Sequence, residues 1–111
     1  AEGRPSLIVN GKKYNADSTG LVCAVYSYAG LTLPCDSALM LQLLDENKLL
    51  YTRGMPMPGD ILFVDGCCVG MAVKVNGKKG YILYIGYDSK KGISFISTKQ
   101  KFRQIGRGSM L

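Results

Sequence analysis

Histidine is absent from all 111 residues. That removes the commonest general base near neutral pH and the commonest zinc ligand, so any catalytic proposal for this chain works without imidazole. Proline- and serine-rich tracts are missing too. With 47% hydrophobic and 20% charged residues, the composition is that of a folded domain with a real core. No apolar run reaches the roughly 18 residues that a membrane-spanning helix needs. The chain opens at Ala1 without a charged-then-apolar leader, so any targeting segment is expected to lie outside it. Four cysteines are too few to define a disulfide scaffold, and a core of this size does not depend on one. A cytosolic and an exported home both stay open.

The net charge of +6 is unevenly placed. Residues 1–65 hold five basic against seven acidic residues, a net −2, whereas residues 66–111 hold nine basic residues against Asp88 alone, a net +8. Such a half would attract nucleic acid, anionic lipid or an anionic wall polymer. The alternative is that lysines crowd exposed turns for solubility.

Residues 6–9 and 12–14 flank Asn10-Gly11, a signal for a tight hairpin turn. A helix is predicted over 18–29, with Asp17 or Ser18 capping its first amides and Gly30 suited to its left-handed stop. Its residues 21–26 (LVCAVY) are apolar almost all round, which places it inside the protein. Asp36 or Ser37 can cap a second helix over 38–47, with Leu39, Leu43 and Leu44 on its apolar face. The period then changes. Residues 61–64, 69–75, 81–87 and 93–97 read as strands joined by turn-forming links, hence an antiparallel meander. The basic tail, residues 99–111, has weak signals and is expected to fray. Helices first and strands after predict one α+β domain over 1–111, with helices on one face of an antiparallel sheet of about five strands.

The stretch YNADSTGLVCAVYSYAGLTLP at 14–34 resembles the active-site segment of the NlpC-type cell-wall peptidases. These are papain-like cysteine enzymes, related to the CHAP amidases, that cleave peptide bonds in bacterial peptidoglycan. Asp17, Thr19, Gly20, Leu21, Val22, Tyr26, Ala29, Gly30, Leu33 and Pro34 fall in step with the family pattern. A second signature, Pro-Gly-Asp-Leu/Ile-Leu-Phe, is matched by MPMPGDILFV at 55–64. A third, His-Val-Gly-Ile, is echoed by CVGMAV at 68–73. The resemblance implies a papain-like fold and three equivalents of the catalytic triad. Ser18 stands where the family has its nucleophilic cysteine, Cys68 where it has its histidine, and Tyr84 near its third, orienting residue.

All three identities are changed. A cysteine at a helix start gains thiolate character from the unpaired amides and the helix dipole, and a histidine then relays its proton. Ser18 is a far weaker acid and needs a base. Cys68 could accept a proton only as a thiolate. Lysines sit mostly in or beside turns, and Asp17 is a natural cap and a poor base for an alcohol. A cysteine-to-serine exchange at 18 alone would not explain Cys68 or the missing histidines, so loss of catalysis is the simpler account.

Cys67 and Cys68 should point to opposite faces of a strand, which disfavours joint metal ligation. Cys23, one turn into a buried helix, is expected to be packing, and nothing identifies a partner for Cys35. Met55 to Pro58 form an apolar approach to the sheet. The resemblance, taken with these changed residues, implies a non-catalytic envelope domain for which no cofactor or metal is expected, exported to the bacterial periplasm or cell envelope. Its expected partners are peptidoglycan peptides, an anionic envelope polymer or another protein. The alternatives are an active cell-wall hydrolase using Ser18 or Cys68, and a basic nucleic-acid-binding module. The last rests on charge alone, because Lys78, Lys79, Tyr81 and Tyr84 offer only a faint version of the interleaved basic and aromatic residues it would want.

Overall fold

The computed structural model describes residues 6–111. The hairpin β1 (Ser6–Val9) and β2 (Lys12–Asn15) forms a two-stranded sheet of its own. Asn10 and Gly11 both take positive φ, 52° and 77°, the backbone that a two-residue hairpin turn requires.

Helix α1 (Ser18–Tyr28) starts where Asp17 accepts a hydrogen bond from the Gly20 amide at 2.6 Å. It ends in a Schellman motif: Gly30 N donates to Ser27 O and Leu31 N to Tyr26 O, with Gly30 at φ 92°. That is the left-handed stop its sequence called for. Helix α2 (Ser37–Glu46) repeats the opening, with the Asp36 carboxylate accepting from the Leu39 amide at 3.0 Å. No helix among the described residues is long and apolar enough to cross a membrane.

The main sheet is antiparallel with the order β3-β8-β4-β5-β6-β7. Its members are β3 (Leu50–Tyr51), β4 (Ile61–Val64), β5 (Cys67–Asn76), β6 (Tyr81–Asp88), β7 (Gly92–Thr98) and β8 (Gln104–Gly106). The meander β4 to β7 follows the alternation in the sequence. Two strands escaped it, so the sheet has six strands rather than about five. β3 is only two residues long. β8 arises from the basic tail, which does not fray but enters the sheet between β3 and β4. Ile105 is buried there at 1% exposure and Phe102 at 4%, and such anchors outweigh the charged residues between them.

Two apolar clusters form the core. The first joins the helices to one sheet face: Val22, Tyr26, Met40 and Leu44 against Ile61, Phe63 and Cys68. The second has no helical member: Leu62, Ala72, Ile82, Phe102 and Ile105. Ile61 and Phe63 therefore face the helices while Leu62 faces away, which explains why β4 is apolar at every position. A compact α+β fold with its helices against one sheet face is what the structure shows.

One cysteine expectation is corrected. Cys23 and Cys35 form a disulfide with Cα atoms 5.6 Å apart, tying α1 to the residue just before the α2 cap. Cys23 is buried, as packing alone would predict, but it is also a covalent tie.

Candidate functional site

The DSTG segment places its residues in sequence. Asp17 caps the helix, Ser18 is its first residue, and Gly20 lies against β2. A Cβ on Gly20 would stand 1.9 Å from the Asn15 carbonyl oxygen, so no larger residue lets α1 start here. The glycine of this segment therefore serves close packing of the helix start.

The Ser18 hydroxyl accepts a hydrogen bond from the Tyr87 amide on β6 at 3.1 Å. The β5–β6 ladder stops at the Met71–Ile85 pair, so the Tyr87 amide has no β5 partner and the serine satisfies it. Among the described residues no carboxylate or amine hydrogen-bonds this hydroxyl. The oxygen is held as an acceptor, without a base to take its proton.

Cys68 does lie beside the start of α1, but its thiol turns to the Ser18 backbone carbonyl, 3.8 Å away, and not to the hydroxyl. Its amide donates to Ser37 Oγ at 2.9 Å, and Ser37 Oγ is 3.1 Å from Thr19 Oγ1. The starts of both helices thus converge on one residue of β5. Burial, above all, pushes the Cys68 thiol up to about 12, and the charge of Asp17 adds to it. A helix start usually lowers a thiol; desolvation wins here. At neutral pH Cys68 is a protonated, inert group.

Tyr84 joins the other cluster. Its ring packs edge-on against Phe102 with centroids 5.9 Å apart, whereas Cys68 belongs to the helix-side cluster. Burial raises its pKa. A Cβ on Gly86 would be 3.6 Å from both Ser18 Oγ and Tyr84 Cε2, so both groups border the space that Gly86 leaves without a side chain. The structure brings Ser18 and Cys68 together and leaves Tyr84 without a hydrogen bond to either. Ser37, which the sequence offers only as a helix cap, joins Thr19 to Cys68. Its signal was the Asp-Ser pair at 36–37, the same pair as at 17–18.

The Pro-Gly-Asp segment is architectural. Buried Asp60, 1% exposed, accepts from the Met57 amide at 2.7 Å and pairs with both Nε and Nη2 of Arg107 at 3.2 Å. This pins the approach to β4 onto the chain beyond β8, and the Arg107 guanidinium also lies 4.6 Å from the Tyr51 ring centre.

The two unpaired cysteines differ as strand alternation requires: Cys67 is exposed and Cys68 buried. An alkylating reagent should modify one thiol in the native protein and two after unfolding without reductant. Mass spectrometry checks this, and native labelling of Cys68 would contradict the buried site.

The chain matches no family model, no curated protein and no solved structure. What can be said of function therefore rests on the residues and their geometry.

Proposed function

We propose that this chain is a catalytically silent relative of the NlpC-type peptidases, acting as a binding or scaffolding domain of the bacterial cell envelope. The observation that carries the reading is the Ser18 site. A residue at the nucleophile position begins a buried helix beside the strand position of the family histidine. Its oxygen is committed to the Tyr87 amide and its neighbour Cys68 is held protonated. The family's motif order supports the family; the chemistry at these positions supports silence. General acid–base help supplies about 10²–10⁴-fold in such enzymes, and both the base and the activated thiol are missing here. The Cys23–Cys35 disulfide supports an oxidising, exported setting. Peptidoglycan peptides or an anionic envelope polymer are the ligands this reading favours.

The test combines retention and turnover. The protein should sediment with purified peptidoglycan, and mass spectrometry of muropeptides incubated with it should show no cleavage. Absence of retention would refute the binding role. Turnover that disappears in Ser18→Ala would refute the silence and make the site a serine hydrolase.

A further inference from the structure

The sheet edge at β3 and β8 carries a second feature that shares no residue with the Ser18 site. β3 pairs with β8 in the register Leu50↔Gly106 and Tyr51↔Ile105. Arg53 follows β3 in a bend over 52–54, and Arg103 directly precedes β8. Phe102 turns inward at 4% exposure, so Lys101 and Arg103 on either side of it are left outside. Arg53, Lys101 and Arg103, with Thr52, Met55 and Phe102, line one recess of about 380 Å³. Its size falls in the class of small-ligand sites, roughly 300–1,000 Å³.

The charges around it are unbalanced. Among the described residues the sole ion pair is Asp60–Arg107, so none of the three cations has a carboxylate partner. Gathering like charges in one concavity raises the local concentration of anions. A neighbouring groove of about 320 Å³ also borders Lys101 and Arg103, but Asp65 lines it. The charge balance therefore places an anion on the Arg53 side.

We propose that this recess binds phosphate, with the guanidinium groups of Arg53 and Arg103 and the ammonium of Lys101 as its charges. Two planar guanidinium groups suit the paired oxygens of a phosphate. A phosphomonoester carries about −1.5 to −2, a closer match to three cations than the single charge of a carboxylate. Exposed Met55 gives the carbon chain beside the phosphate an apolar contact. Phe102 is the lining's one aromatic residue and is buried, so no base-stacking platform adjoins the charges, as single-stranded nucleic acid would use. Under the envelope role proposed above, the occupant is a phosphate-linked polyol polymer. That choice of polymer rests on that role; the phosphate site does not.

The site can be read by amide NMR of the full chain at fixed ionic strength. Titration with inorganic phosphate should produce saturable shifts centred on residues 52–55 and 101–103, and acetate should produce much weaker ones. Arg53→Gln, Lys101→Gln and Arg103→Gln should each weaken phosphate about tenfold, as expected for one lost charged hydrogen bond. All three side chains are exposed, so the fold should survive, and circular dichroism verifies that. Lys90→Gln with Lys91→Gln should change nothing. Shifts spread equally over the 78–79 and 90–91 turns, or acetate binding as well as phosphate, would overturn the site. Poly(glycerol phosphate) and single-stranded DNA of equal phosphate content then distinguish the occupants. Tighter binding of the polyol polymer supports the assignment; tighter binding of DNA overturns the polymer while leaving the phosphate site standing.

Discussion

Replacing Cys23 and Cys35 together by alanine should lower the unfolding free energy by about 3 kcal/mol and the melting temperature by about 10 °C. The disulfide closes a loop across a sequence separation of 12 residues, and removing that closure frees the unfolded chain by this amount in the chain-entropy picture. The loss of the buried Cys23 sulfur adds to it. The effect should also be local. The tie ends one residue before Asp36, the cap of α2, and so helps hold Ser37 against Thr19 and the Cys68 amide. Hydrogen exchange of that amide should accelerate more than exchange along β6 and β7. A Cys67→Ser background keeps the free thiols from reshuffling. Thermal melts with and without reductant measure the effect on the parent chain. A melting temperature that ignores reduction would show that packing alone closes this loop.

That disulfide was out of reach of the sequence for a physical reason. Cys23 sits in a stretch that is apolar all round, where burial accounts for a cysteine without further cause. Cys35 finds it only because the Schellman stop at Gly30 turns the chain back along α1. By contrast, the helix starts were legible because capping is local. Asp17 and Asp36 each reach an amide three residues on, and nothing distant is needed. The meander was legible for the same reason, since strand alternation and short turns are properties of neighbouring residues. β8 was not. Its three residues, Gln104–Gly106, are flanked by basic ones, and their place is defined by β3 and β4, far away in the sequence.

The site divides along the same line. The adjacency of Ser18 and Cys68 followed from motif order, a helix start and a strand. Which atoms meet did not. A shift in the β4–β5 register between Leu62 and Phe63 breaks simple alternation along β5 between Cys68 and Ala72, the residue paired with Tyr84. Tyr84 therefore joins Phe102 in the cluster away from the helices. Phe102 itself lies in the basic tail, whose sequence signals are weak, so the tyrosine's true neighbour was invisible from the sequence. The charged half shows the converse. Its net +8 was plain, but only the recess between residues 52–55 and 101–103 reveals that Arg53, from the acidic half, completes the cationic cluster.

The protein should lose stability steeply above pH 9, and Cys68→Ala should flatten that loss. The Cys68 thiol is raised from 9.0 to about 12 in the folded state. Below pH 9 the thiol is protonated whether the chain is folded or not, so it adds no pH dependence. Between 9 and 12 the unfolded chain releases this proton while the folded chain keeps it. The folded state then binds more protons, and stability falls as pH rises. Each unit in that window corresponds to about 1.4 kcal/mol, so the loss at pH 10.5 is on the order of 2 kcal/mol. Buried Tyr26, raised from 10.0 to about 12 by burial and by the charge of Asp60, adds a second loss that begins one unit higher. Its hydroxyl donates to the Gly59 carbonyl, so ionisation would also remove that hydrogen bond. Cys68→Ala leaves the tyrosine and the surface lysines in place, and the difference between the two stability curves isolates the thiol. Urea unfolding at pH 7.5, 9, 10 and 10.5 measures it. The alanine variant should start somewhat less stable at pH 7.5 because the buried sulfur is gone, and the gap should narrow or reverse by pH 10.5. Parallel curves across this range would mean that Cys68 is solvated when folded, and the inert thiol beside Ser18 would lose its basis.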